Sequence, residues 1–311
     1  MPSHTNLLNP FKKNYPSLKK FEYRDEQLED PQLIINILEL NTQLVTLNIE
    51  LCCWNNALMT TICRHLTILE EFKLVELSIY TQSRIDKTSK FSHSTKIKKL
   101  NLCWDMLSPS SLESILLNCP QLEELKIESL RNHLSQEYFT TFNISRPTKI
   151  KKLEFGRINL SVSSLNSIFL NCPQLNDLNI RLPVDWKEAI KSVGSKCMDL
   201  KHLSIRPINP MQLRDSNGLF LELYQNEFLS SNSIYISTLT SLTLIGFNFS
   251  DSRAEYFKNF ANLNSITYLE QDRTQYTRFK KEDIVDKEMW PGYRYILIDH
   301  KCKFDVKLIK L

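Results

Sequence analysis

Glycine is scarce in this chain, with five in 311 residues, at positions 156, 194, 218, 246 and 292. A phosphate-cradling loop needs several close together, so neither a P-loop nor a dinucleotide-binding turn can be written. HExxH and GxSxG are both missing, which removes the commonest zinc-hydrolase and serine-hydrolase signatures. The eight cysteines contain no CxxC pair, so a zinc framework is not expected. No apolar run reaches the roughly eighteen residues of a membrane span. The opening stretch MPSHTNLLNPFKKNYP lacks the apolar core of a signal peptide. An excess of one charge is also missing. A net charge of +4 is too small to imply a nucleic-acid or anionic-membrane partner. What is left is an ordinary globular composition, 42% hydrophobic and 24% charged, read as a cytoplasmic or nuclear protein. No enzymatic activity, cofactor or metal is expected. His300 with Cys302 is half a metal site that nothing nearby completes, and an edge strand is the plainer reading. Asn143, Asn159 and Asn248 open glycosylation-like triplets that mean little without secretion.

Against these absences stands a repeat. TKIKKLNLCWDMLSPSSLESILLNCPQLEELKI (95–127) aligns without a gap on TKIKKLEFGRINLSVSSLNSIFLNCPQLNDLNI (148–180), with 21 identities in 33 positions. Each copy holds two smaller frames of the form L-x-x-L-x-L, spaced by about 25 residues, within the range of leucine-rich repeats. The frame extends to ten repeats, with first positions at Leu18, Leu44, Leu69, Ile97, Leu122, Ile150, Leu175, Leu200, Leu239 and Ile266. The last reads Ile266/Leu269/Gln271 and is the weakest, because its sixth position is polar. One longer step, from Leu200 to Leu239, carries an insert.

Alternation with period two puts the fourth and sixth positions on one face of a strand and the third, fifth and seventh on the other. Between strands the spacing is helical. In 108–119, Ser108 is a plausible N-cap, Pro109 takes the first helical position, and Leu112, Ile115 and Leu116 form an apolar stripe. Strand, helix and parallel strand connect right-handedly. Strands stack about 4.8 Å apart while helices need about 8–10 Å. The expected fold is therefore α/β, a solenoid of about ten repeats curved into a horseshoe, with parallel strands on the concave face and helices on the convex one. Residues 1–14 form a short lead-in, 15–277 the array with its insert at 206–237, and 278–311 a C-terminal cap with strand-like alternation.

Cys119, Cys172 and Cys197 each stand three before a first position, where Tyr15, Asn41 and Leu66 stand in other repeats. A slot accepting Cys, Leu or Tyr reads as semi-buried packing. Cys52, three after Ile49, marks a second such slot.

The concave face should carry Lys20, Glu22 and Arg24 in the first repeat and Lys99, Asn101 and Cys103 in the fourth. In the seventh and eighth it should carry Asp177, Asn179, Arg181, His202, Ser204 and Arg206. Interleaved signs and few aromatics disfavour single-stranded nucleic acid and a small apolar ligand. A protein or peptide partner fits best; the bland alternative is a solvated, salt-bridged face with no partner. The insert should bring Phe220 and Tyr224, on an amphipathic helix that also includes Phe228, near Arg181 and Arg206. Together these residues are the candidate partner-binding site, although the insert's apolar stripe also fits ordinary core packing. The protein is expected to be monomeric.

CPQLEELKI, CPQLNDLNI and NTQLVTLNIELC resemble the cysteine-containing repeats of ribonuclease-inhibitor-like arrays, best known in F-box/LRR proteins, over about residues 15–270. That resemblance implies the substrate-recognition part of an F-box-type (SCF) ubiquitin ligase receptor. The N-terminal F-box, which docks on the ligase adaptor, has no counterpart before Tyr15. It is expected either to have been lost or to lie upstream in a longer product, and an adaptor partner is expected only if it exists. The alternative is a stand-alone scaffold or inhibitor-type binding protein with no ligase link.

Overall fold

A computed structural model describes residues 13–25, 31–51, 55–76, 94–103, 109–128, 144, 146–156, 158, 160–182, 186–206, 234–247, 249, 252–269, 289–299 and 304–311. The chain forms two compact units, Met1–Ile150 with Glu154–Ile158, and Lys151–Leu153 with Asn159–Leu311. Both are mixed α/β and built on mostly parallel strands. Strand β6 (Lys152–Gly156) is divided between them at its middle.

In the first unit, strands β1 (Lys20–Asp25), β2 (Thr46–Leu51), β3 (Glu71–Glu76), β4 (Lys99–Cys103) and β5 (Glu124–Glu128) lie side by side in chain order. Each is parallel to the next, and the register is that of the repeat. Phe21 stands opposite Leu47, Leu47 opposite Phe72, Phe72 opposite Leu100, and Leu100 opposite Leu125. Helices α1 (Gln32–Leu40), α2 (Asn56–His65) and α3 (Pro109–Asn118) fill gaps between strands. Asn55 caps α2 by accepting the Leu58 N–H. Pro109 opens α3 as expected, and Leu112 and Ile115 are buried, whereas Leu116 is only half-buried. Ser108 lies outside the described residues.

The second unit runs through β7 (Asp177–Arg181), β8 (His202–Arg206), β9 (Ser241–Ile245) and β10 (Ser265–Leu269), again parallel and in chain order. Helices α4 (Val162–Asn171) and α5 (Trp186–Lys196) belong here, and Ser161 caps α4 by accepting the Ser164 N–H. Among the described residues after α5 the connections contain 3-10 turns, Ile234–Ser237 before β9 and Ala254–Phe257 before β10. The strand-like C-terminal stretch forms β11 (Tyr293–Asp299) and β12 (Phe304–Lys310), an antiparallel pair. β12 pairs with β10, also antiparallel, so the order ends β10-β12-β11. Gly292, at φ 79°, makes the positive-φ turn into β11. Trp290, buried, stacks on Phe249 and Phe257 and fixes that turn against the last repeat.

A backbone motif recurs along both units. The second and third residues of the frame both donate to the carbonyl of the second residue one repeat earlier. Lys98 and Lys99 donate to Glu70, Lys201 and His202 to Asn176, and Asn264 and Ser265 to Thr240. Lys310 N–H then takes the Asn264 carbonyl at 3.0 Å, so β12 continues the ladder with a reversed chain.

The same ladder corrects the tenth repeat. Ile266 pairs with Leu242 and Tyr268 with Leu244, so they occupy the fourth and sixth positions. The frame is Leu263/Ile266/Tyr268, all buried, and not Ile266/Leu269/Gln271. The polar sixth position disappears with the shift.

Shifting the register also changes the slot three residues before the first leucine, which Phe260 now fills in the last repeat. Cys119, Cys172, Cys197, Leu66 and Phe260 are all buried there. In four of these repeats the leucine N–H donates to the carbonyl of the slot residue: Leu69 to Leu66, Leu122 to Cys119, Leu175 to Cys172 and Leu263 to Phe260. Asn41 is also buried, but as a hydrogen-bonded polar group. Tyr15 departs from the expectation, since the residue is 37% exposed and its backbone makes the contact. Cys52 lies outside the described residues.

Candidate interaction surface

Within each unit the third, fifth and seventh positions face away from the core, as the alternating burial of β2, β5, β7 and β8 records. Cys103 and Ile245 depart from that rule and are buried at the seventh position.

On the first unit this outward face matches its own charges across strands. Glu50 receives Arg24 at 3.5 Å and Lys73 at 2.5 Å. Lys99 lies between Glu71 at 3.2 Å and Glu124 at 3.6 Å. Lys126 sits 2.9 Å from both Glu128 and Glu154. Burial alone would lower the Lys126 pKa; hydrogen bonds to Glu128 and Glu154 outweigh it and raise it. Glu22 is held below the usual carboxylate range by Lys20 and Asn48. Gly156 makes room for this network, because a Cβ there would stand 2.9 Å from the Glu128 Cγ. Exposed pairs of this kind contribute at most ~1 kcal/mol each. Their consequence is electrostatic: opposite charges a few ångströms apart leave little net field for a charged partner.

The second unit is arranged differently. Lys152 and Asp177 pair at 3.3 Å, and the other described outward positions of β7 to β10 carry no carboxylate. Asp177 is the register partner of His202, Asn179 of Ser204, and Arg181 of Arg206. Two guanidinium side chains therefore leave the sheet from directly opposite positions on strands about 4.8 Å apart. The next two strands present hydroxyls: Ser241 and Thr243 on β9, Ser265 and Thr267 on β10, with the Ser265 hydroxyl donating to Ser241 at 3.2 Å. Phe220 and Tyr224 lie outside the described residues, as do His300 and Cys302.

The terminal pair adds side chains to this face that sequence reading assigned only to a cap. Ile309 stands opposite Ser265 and Lys307 opposite Thr267, so both face outward with them. On β11, Arg294, Ile296 and Ile298 are their outward partners, opposite Ile309, Lys307 and Asp305 in turn. Ile296 and Ile298 are 37% and 40% exposed. The signal for them was the alternation in YRYILID and FDVKLIK. Which face they would share could not be read, since that depends on the antiparallel pairing with β10.

Among the described residues no cluster of three His, Cys, Asp or Glu side chains could hold a metal ion. No described helix is long and apolar enough to cross a membrane. No family model matches the chain, and no curated protein matches it significantly in sequence.

Proposed function

We propose that this chain is a leucine-rich-repeat array that works by binding a protein or peptide partner rather than by catalysis, with the outward sheet face of the second unit as the binding surface. The carrying observation is the contrast between faces. The first unit's outward strand face is laced with cross-strand ion pairs, and the described outward residues of the second set Arg181 opposite Arg206 beside a hydroxyl-rich surface. Arginine is among the side chains enriched at interface hot spots. The one-strand-per-repeat register and the recurring slot support the repeat reading.

Within that reading, the substrate-recognition part of an F-box-type ubiquitin ligase receptor is the first choice, resting on the CPQLxxLxI resemblance alone. A stand-alone scaffold or inhibitor-type protein is the second. Affinity purification of the chain from its own cells, with cross-linking and mass spectrometry, separates them. Adaptor and cullin recovered together support the ligase reading, and a specific partner without them supports the scaffold. Cross-links that avoid β7 and β8 would overturn the binding surface.

A further inference from the structure

The terminal pair extends the basic face with an amphipathic patch. Among the described outward residues of the second unit, Lys152, Arg181, Arg206, Lys307 and Arg294 are basic, and Asp177 and Asp305 are acidic. Among these described residues five bases stand against two acids. The aliphatic side chains on this side are concentrated at its end. Arg294 stands beside Ile309 and Lys307 beside Ile296, so two cations each neighbour an aliphatic side chain, while Ile298 stands opposite Asp305.

We propose that this face takes an acidic, extended segment of another protein, with carboxylates on Arg181, Arg206 and Lys307 and aliphatic side chains seated on Ile296, Ile298 and Ile309. The proposal rests on the binding surface proposed above and adds the chemistry of its partner. Charge complementarity identifies the occupant. A surplus of positive charge attracts carboxylates or phosphates, and the aliphatic end favours a polypeptide, since nucleic acid calls for stacking rings that this patch does not supply. The dimensions agree. β8, β9, β10, β12 and β11 are successive neighbours, so Arg206 and Ile296 are separated by four strand spacings, about 19 Å. An extended segment covers that in about six residues. Between the ends, Ser241, Thr243, Ser265 and Thr267 offer hydroxyls that can donate to or accept from the backbone of the segment.

Fluorescence anisotropy with the full chain and three labelled peptides tests this: an alternating Glu-Leu peptide, an alternating Glu-Ser peptide and an alternating Lys-Leu peptide. The Glu-Leu peptide should bind, with affinity falling as salt rises. The Glu-Ser peptide should bind about tenfold more weakly, and the Lys-Leu peptide not at all. Ile296→Thr with Ile298→Thr keeps strand-forming side chains and should weaken Glu-Leu binding about tenfold at an unchanged melting temperature. Equal binding of Glu-Leu and Lys-Leu, no effect of the isoleucine changes in a folded variant, or tighter binding of an oligothymidylate or of anionic vesicles would each overturn the proposal. If partners cross-linked to β7 and β8 present basic segments, this inference fails while the binding surface stands. If no protein engages the face, both fail.

Discussion

Asn41 holds the N-terminal turn through Tyr15: its Oδ1 accepts the Tyr15 N–H at 2.9 Å. Its Nδ2 donates to the carbonyls of Lys13 at 3.0 Å and Ile37 at 2.8 Å. Gln43 adds a donation to the Tyr15 carbonyl at 2.5 Å. A fully buried amide is thereby satisfied on both its oxygen and its nitrogen, and it ties residues 13–15 to the first helix. Replacing Asn41 with Leu, the residue found in the same slot at Leu66, should destabilise the first unit by about 1–3 kcal/mol through the orphaned Tyr15 N–H and Lys13 carbonyl. Chemical denaturation checks this; an unchanged midpoint would mean the amide contributes nothing beyond volume.

The corrected last repeat makes a second prediction. Leu263→Ala should cost about 2–5 kcal/mol, as should Leu125→Ala and Leu178→Ala, because all three fill equivalent core positions. Leu269→Ala should cost clearly less, since Leu269 is half-buried at an outward position. Denaturant midpoints of the four variants decide between the two frames. The order reverses for Leu263 and Leu269 if the repeat begins at Ile266.

Alkaline pH should destabilise the protein. Burial pushes the Cys119 thiol from an ordinary 9.0 up to about 12, partly opposed by the Thr95 hydroxyl, and burial does the same for Cys197, partly opposed by Lys196. A thiol whose pKa is raised by folding keeps its proton in the native chain after the unfolded chain has lost it. The stabilisation is complete below pH 9.0 and declines as pH rises toward about 12. Tyr268 and Tyr23, both raised mainly by burial, act in the same direction. Melting temperatures should fall between pH 9 and 11, less steeply in Cys119→Ala with Cys197→Ala. A flat profile would contradict the burial of these groups. At neutral pH, Cys119 should resist iodoacetamide until the protein is unfolded.

Most of the strand frame was legible because a buried strand position accepts only a few side chains and the repeat presents that constraint over and over. TKIKKL and CPQL mark the strand start directly, and Leu100, Leu125, Leu153 and Leu178 are buried at their expected positions. The last repeat was misread because ITYL offers Ile266 and Leu269 at a spacing that also fits the frame, and Tyr268 is an unfamiliar sixth residue. Only its pairing with Leu244 resolves the choice. The outward face was legible as a set of side chains, through period-two alternation. Its electrostatics were not. Which carboxylate meets which lysine depends on cross-strand register, and the antiparallel return of β12 onto β10 has no counterpart in a parallel repeat. Cys103 was placed outward by alternation alone, and packing at the end of β4 buries it instead.

The central claim is that partners engage the second unit's face and not the first's. Its most direct test is paired charge reversal, measuring retention of the partner that co-purifies with the unaltered chain. Arg181→Glu with Arg206→Glu should release that partner, with affinity falling at least about tenfold and the melting temperature nearly constant. Lys20→Glu with Arg24→Glu disrupts exposed pairs worth at most ~1 kcal/mol each and should leave retention unchanged. Release by the Lys20 and Arg24 reversal, with full retention by the Arg181 and Arg206 reversal, would contradict the account.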